Sequence, residues 1–229
     1  MSGRGAALHH DSLIEGGPAF PVALAIFALA WQVMIVAMML PSSLPAIRLF
    51  YRMATAQPRA TSARTAFVGG YALVWTVFGI AAFTFDLGVH RTVDSWPWLS
   101  DRSWFIAGAT LILAGAFQFS PLKDQCLTVC RHPAAFMLRY YRRGVGAALG
   151  TGIRHGMFCA GCCWALMLVA FAAGVANLVW MAAFTAVMIV ERTWSEGERI
   201  TAPVGVALIT IGALVFVHPV GLPPVFASG

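Results

Sequence analysis

Six stretches of this chain are apolar over nearly the length that a membrane-crossing helix requires. Such a helix needs about 20 predominantly apolar residues, and the sequence approaches this need at 21–40, 66–87, 104–120, 146–173, 176–191 and 201–218. Only 10% of the 229 residues are charged and 59% are hydrophobic, whereas an average soluble domain carries about 25% charged residues. The chain therefore cannot cover its surface with polar groups in water, which excludes an ordinary soluble enzyme. We predict an all-α, polytopic transmembrane helix bundle of about six spans, with the lipid bilayer as its solvent.

The domain organisation follows from these spans. We expect a polar N-terminal tail at 1–20, a single transmembrane helical domain at 21–218 and a short C-terminal tail at 219–229. The first span should end at Leu40-Pro41, because proline has no amide hydrogen to continue the helical ladder. The third predicted span, 104–120, is short. Four spans plus a re-entrant segment is therefore the alternative.

The basic residues indicate which side of the membrane each loop faces. Lys and Arg are enriched in cytoplasmic loops, and here they concentrate after spans one, three and five. Eleven basic residues lie there: Arg48, Arg52, Arg59, Arg64, Lys123, Arg131, Arg139, Arg142, Arg143, Arg192 and Arg199. Only Arg4, Arg91 and Arg102 fall on the opposite side. We therefore predict that both termini lie outside the cytoplasm. The net charge of +6 is spread over loops and forms no basic face for nucleic acid.

The five cysteines fall into two groups, and the first is Cys126 with Cys130. Residues four apart on a helix share one face, so both sulfurs could bind one metal ion at the cytoplasmic rim. The alternative is that they are two small residues of an amphipathic rim helix.

The second cysteine group lies in the fourth span together with a histidine. At about 100° per residue, four side chains fall within an arc of about 100°: His155, Cys159, Cys162 and Cys163. This face would offer imidazole and thiolate ligands inside the bundle. The axial rise of about 12 Å from the first to the last means that one ion could not bind all four.

Helix packing is the competing interpretation of the same span. Gly152, Gly156 and Ala160 form a row of small residues that lets helices approach closely, and cysteine is itself small and apolar. Packing explains Arg154 and His155 less readily, since an ionisable residue within a span points to a functional site. The alternative is that the span starts late and both residues lie near the cytoplasmic rim.

Met34 and Met38 share a face of the first span. Thioethers beside thiolates would select a soft ion such as Cu(I), whereas imidazole and thiolate alone suit Zn(II) equally well. A methionine stripe is also common core filling. In the fifth span, Glu191 beside Arg192 is most simply a charge pair at the membrane rim.

Three motifs in order support a family resemblance. They are Trp31-x-x-Met34-x-x-Ala37-Met38-Met39-Leu40-Pro41, Gln118-x-Ser120-Pro121-Leu122-Lys123-x-x-Cys126-Leu127-x-x-Cys130-Arg131-x-Pro133 and Gly156-x-x-Cys159-x-Gly161-Cys162-Cys163-Trp164-x-Leu166-Met167. Over roughly residues 25 to 200 the chain resembles the bacterial family described as predicted metal-binding integral membrane proteins, a family of unknown function. The resemblance implies a polytopic bundle in the bacterial inner membrane and a metal site.

We therefore predict an inner-membrane protein that binds copper, favoured over zinc, for metal handling or delivery. One site would be Cys126 with Cys130 at the rim, and the other His155, Cys159, Cys162 and Cys163 within the membrane, with Met34 and Met38 as further ligands. The partners would be the bilayer and a membrane or metal-donor protein. Two alternatives stay open. One is a membrane thiol–disulfide oxidoreductase, because adjacent cysteines such as Cys162 and Cys163 form a strained, reactive disulfide. The other is a structural subunit whose cysteines only pack.

Overall fold

A computed structural model describes residues 19–100, 102–172, 178–194 and 196–217 of the chain. Within these residues the secondary structure is helical and contains no strand, which confirms the all-α prediction. Both predicted tails lie outside the described residues, apart from positions 19 and 20. The helices are α1 (Phe20–Ala54), α2 (Ala60–Ser95), α3 (Pro97–Ser100), α4 (Ser103–Phe117), α5 (Pro121–Arg131), α6 (Pro133–Tyr140), α7 (Val145–Ala172), α8 (Leu178–Thr193) and α9 (Glu198–Val217).

Four of these helices are long and apolar enough to cross a membrane: α1, α2, α7 and α9. Helices α4 and α5 meet this test only together, and they are bent by 62° at the break between them. They form either a fifth, broken span or a re-entrant loop. The prediction of about six spans is not confirmed, because α4 has 15 residues and α8 has 16 in the described part. The alternative of four spans with a re-entrant segment agrees with this arrangement.

The end predicted for the first span at Pro41 is wrong. Helix α1 continues through Pro41 and Pro45 and has 35 residues. Prolines are tolerated within membrane-spanning helices, where the surrounding bundle can compensate for the one backbone hydrogen bond that each removes. The carbonyl that loses its amide donor to Pro41 is that of Ala37, four residues earlier, and the Ser42 hydroxyl donates instead to the carbonyl of Met39, at 3.0 Å.

Helix α7 occupies the centre of the bundle, where it packs along α2 and also contacts α4 and α5. The α2 contact is close enough to require glycine. A Cβ atom on Gly152 would lie 2.0 Å from the carbonyl oxygen of Phe67, and one on Gly70 would lie 2.4 Å from that of Leu149. The interpretation of the Gly152 row as a packing surface is therefore confirmed.

Candidate metal centre

The predicted ligand face of α7 is buried in the middle of the protein. His155, Cys159, Cys162 and Cys163 are at most 2% exposed, and the three thiols belong to one large apolar core cluster. All five cysteines are free thiols. The prediction that these four side chains share one inward face is confirmed.

The two cysteine groups, which the sequence separates into two sites, meet in the structure. Helix α5 lies against α7, and the sulfur of Cys130 is 4.0 Å from that of Cys162. The sulfur of Cys126 packs on Gly161, where a Cβ atom would lie only 2.6 Å away. Four of the α5 and α7 cysteines are buried, and Cys130 is partly exposed.

A methionine that the sequence does not single out faces the α7 thiols. The sulfur of Cys163 lies 3.7 Å from that of Met39. Met34 and Met38 are each 1% exposed and belong to the same core cluster as the α7 cysteines. A signal for Met39 does exist in the sequence, because Ser43 follows it by one helical turn. That polar side chain also points to α7, with its Oγ 4.0 Å from the Cys159 sulfur.

Each α7 thiol has a hydrogen-bond partner. The Cys159 sulfur lies 3.2 Å from the hydroxyl of Tyr71 on α2, and that hydroxyl also lies 3.2 Å from Ser43 Oγ. Cys162 and Cys163 both donate to the backbone carbonyl of Cys159, at 3.1 and 2.8 Å. The sulfurs are therefore held in place by α1, α2 and their own helix.

The two adjacent ionisable residues of α7 point in different directions. The His155 ring stacks on Phe67 and Tyr71, with ring centroids 6.0 and 5.5 Å apart, and its Nε2 is buried without a hydrogen-bond partner. Arg154 is exposed, and its guanidinium lies over the ring of Tyr140 at 5.2 Å. Only the histidine of this pair therefore faces the bundle interior.

The interpretation of Glu191 and Arg192 as a rim charge pair is wrong. Glu191 is 1% exposed and accepts two hydrogen bonds from Lys123 Nζ, at 2.9 and 2.8 Å. Lys123 is completely buried and also donates to Gln118 Oε1. This pair joins α5 to α8. A buried charge needs a partner of opposite charge, but the sequence does not reveal which helix provides it.

Arg192 is instead buried, within electrostatic range of the sulfur cluster. It is 4% exposed, and its Nη1 donates a hydrogen bond of 2.6 Å to Ser42 Oγ on α1. Its guanidinium is near enough to interact electrostatically with Cys130, Cys159, Cys162 and Cys163. The site thus contains a permanent positive charge, whereas the sequence predicts Arg192 at the membrane rim.

Most of the potential metal ligands at this site are soft sulfur atoms. No three His, Cys, Asp or Glu side chains of the described residues form a group ready to hold an ion. The sulfurs come instead in two close pairs, Cys130 with Cys162 and Cys163 with Met39. Such thiolate and thioether donors select Cu(I) rather than a hard cation.

A protein-family model matches residues 28–215, and the family is PpoB2, described as copper chaperone. The chain belongs to this copper chaperone family. The matched segment includes all five cysteines, Met39 and Arg192. Membership confirms the metal-related part of the sequence resemblance and supports copper, while zinc gains no support. Searches of the curated proteins and of the solved structures found no match.

Proposed function

We propose that this protein is an integral membrane copper chaperone, which binds Cu(I) among the sulfurs between α1, α5 and α7 and passes it to a partner protein. The observation that carries the proposal is the meeting of the two cysteine groups, with Cys130 and Cys162 sulfurs 4.0 Å apart. Two metal–sulfur bonds of about 2.3 Å each span up to about 4.6 Å. One ion can therefore bridge this pair with little movement of either helix.

The binding step exchanges protons for a metal ion. Because the thiolate is the metal ligand, the S–H bonds of Cys130 and Cys162 break, two Cu–S bonds form and two protons leave. Copper stays Cu(I) throughout, so the step needs no oxidant or reductant. Cys163 and Met39 supply the neighbouring sulfurs for a third contact. Cys126, Cys159, His155, Met34 and Met38 stay predicted ligands for further positions of the ion.

Cys130 is the position from which we expect copper to leave or enter. It is the partly exposed member of the cluster, whereas the other four cysteines are buried. A thiol of a donor or acceptor protein would attack the ion there, and the Cu–Cys130 bond would be replaced first. Copper would then move by exchange of one sulfur ligand for another.

The membrane location has its own support. Large apolar side chains cover the outside of the bundle, among them Val33 and Phe85, which are 71% and 73% exposed. Patches of this kind mark surfaces that contact lipid or another protein. Together with the four helices of spanning length, they support a membrane location. The bacterial inner membrane, with both termini outside the cytoplasm, stays a prediction from the sequence, and the placement of the termini depends on the six-span topology.

Anaerobic Cu(I) titration of the detergent-purified protein against a chromophoric Cu(I) chelator tests the proposal. We expect about one tightly bound Cu(I) per chain, and its loss in the double variant Cys130→Ser/Cys162→Ser. Met39→Leu should weaken binding, whereas the matched control Met157→Leu should not, because Met157 lies on α7 but is 60% exposed. Wild-type protein that takes up no Cu(I), or a double variant that binds as tightly, would contradict the proposal.

Thiol counting on the same copper-free samples separates the alternative function. We expect five free thiols per chain under anaerobic conditions, in agreement with the free thiols of the structure. Fewer than five would favour a thiol–disulfide oxidoreductase instead.

A further inference from the structure

The buried charges of the protein do not balance. Among the described residues, the buried side chains of the Asp, Glu, His, Lys and Arg types are Lys123, His155, Glu191 and Arg192. Lys123 and Glu191 neutralise each other across 2.8 Å. With a neutral imidazole at His155, Arg192 leaves the interior with one positive charge in excess.

Among the described residues no carboxylate forms an ion pair with Arg192: the adjacent Glu191 interacts with it electrostatically but is bonded to Lys123. Within the described part of the chain, the Arg192 side chain donates to a neutral hydroxyl, that of Ser42, and its Nε is buried with no acceptor. Burial of a charged group without a counter-charge is strongly unfavourable. A nearby anion would stabilise such an unpaired guanidinium. The groups that interact with it electrostatically include the sulfurs of Cys130, Cys159, Cys162 and Cys163.

We propose that Arg192 is the counter-ion of an anionic Cu(I)–thiolate complex and thereby makes the site select a monovalent ion; this inference rests on the proposed function. Two thiolates with one Cu(I) carry a net charge of −1, which cancels the excess charge of Arg192. The same two thiolates with Zn(II) form a neutral complex and leave Arg192 unbalanced. A cuprous ion held only by thioether and imidazole would add a second positive charge beside the guanidinium.

The alternative is that Arg192 only supports the fold, through its bond to Ser42 next to Pro41. The two roles predict opposite changes in the copper-free protein. If Arg192 awaits an anion, replacement by an apolar side chain of similar length removes an unbalanced charge and stabilises the copper-free state, as with other buried ionic groups. If Arg192 only supports the fold, the same replacement destabilises it.

The experiment compares Arg192→Met and Arg192→Lys with wild type, and uses Arg154→Met as the matched control, because Arg154 lies on α7 but is exposed. Cu(I) and Zn(II) affinities are measured separately by chelator competition, and thermal unfolding is followed with and without Cu(I). We expect Arg192→Met to lower Cu(I) affinity by about tenfold or more, with a smaller change for Zn(II). Its copper-free form should unfold at a higher temperature than wild type. Arg192→Lys should retain most of the Cu(I) preference, because it keeps the charge.

Each other outcome has one meaning. Wild type that binds no Cu(I) would refute the proposed function itself. Wild type that binds Cu(I) while Arg192→Met binds it equally well would refute the counter-ion role alone. A copper-free Arg192→Met protein that unfolds at a lower temperature, with Cu(I) and Zn(II) affinities reduced equally, would assign Arg192 a structural role. If Arg192→Met does not fold, the Cu(I)-to-Zn(II) preference of Arg192→Lys decides, and a preference lost despite the retained charge would also refute the counter-ion role.

Discussion

The contact between α2 and α7 positions Tyr71 against Cys159, and it depends on a glycine that can be tested directly. Gly152→Ala would place a Cβ atom 2.0 Å from the carbonyl oxygen of Phe67, whereas ordinary contact begins at 3.4 Å. The obstacle is backbone rather than a side chain that can rotate away. The two helices must therefore separate locally by about 1.4 Å, a movement that the close packing of protein interiors resists.

The magnitude follows from two opposing effects. Overpacking of a core costs about 1–3 kcal/mol, and a clash with backbone falls at the upper end of that range. Replacement of a helical glycine by alanine otherwise stabilises by about 0.5–1 kcal/mol. The net loss should be about 2 kcal/mol, which for a protein of this size lowers the unfolding temperature by about 4–8 °C.

Thermal unfolding in detergent, followed by circular dichroism, provides the measurement. Gly150→Ala is the matched control, because Gly150 is two residues away on the same helix and a Cβ atom there would meet nothing within 4 Å. It should unfold at or above the wild-type temperature. Gly70→Ala, on the facing side of the contact, should lose as much stability as Gly152→Ala, since its Cβ would lie 2.4 Å from the Leu149 oxygen. Equal stability of Gly152→Ala and Gly150→Ala would refute the close approach of α2 and α7.

Two further predictions concern the polar side chains around the sulfur cluster. Lys123→Met should lower the free energy of unfolding by about 3–5 kcal/mol in chemical unfolding, because it leaves the Glu191 carboxylate buried without its partner. The double variant Lys123→Met/Glu191→Met should recover most of this loss. A double variant as unstable as the single one would contradict the pairing. Tyr71→Phe should lower the free energy of unfolding by about 0.5–1.5 kcal/mol, because the hydroxyl's bonds to Cys159 and Ser43 are lost. The Cu(I) affinity at Cys130 and Cys162 should stay near that of wild type. A large loss of affinity would instead show that Tyr71 contacts the ion.

The parts of the site that the sequence predicts are those that depend on one helix alone. Spacing along α7 places His155, Cys159, Cys162 and Cys163 on one arc, and an arc of thiol and imidazole groups in an apolar span faces inward because lipid offers it no partner. The role of Gly152 follows in the same way from the spacing of small residues. These expectations need no knowledge of which helix lies opposite.

The parts that the sequence misses depend on the neighbour of each helix. Periodicity shows that α1 carries buried methionines, but whether Met34, Met38 or Met39 meets a thiol depends on how α1 is rotated against α7. The partner of Glu191 is likewise not the adjacent Arg192 but Lys123, which is 68 residues away. The proline rule also fails for Pro41, because it describes an isolated helix, whereas prolines are tolerated in helices that pack within a membrane bundle.

The bend between α4 and α5 explains why two cysteine groups far apart in sequence form one cluster. Ser120 caps α5 by accepting from the amide of Leu122, and Pro121 begins the helix. The 62° turn directs α5 across α7, where Gly161 leaves room for the Cys126 sulfur. Lys123, Cys126 and Cys130 follow one another at helical spacing on the face turned towards α7 and α8.

The buried ion pair of Lys123 and Glu191 also affects how the helices around the site are arranged. A salt bridge within a protein interior adds little net free energy compared with apolar packing, but it specifies one arrangement of the elements it joins. The bond from Lys123 to Glu191 fixes α5 against α8, and two turns further along α5 Cys130 lies beside Cys162. Arg192, next to Glu191 in α8, is buried within electrostatic range of the same sulfurs. Adjacent residues of α8 thus serve one site in two ways, as Glu191 positions the thiol of Cys130 and Arg192 balances the charge of the complex that this thiol would form.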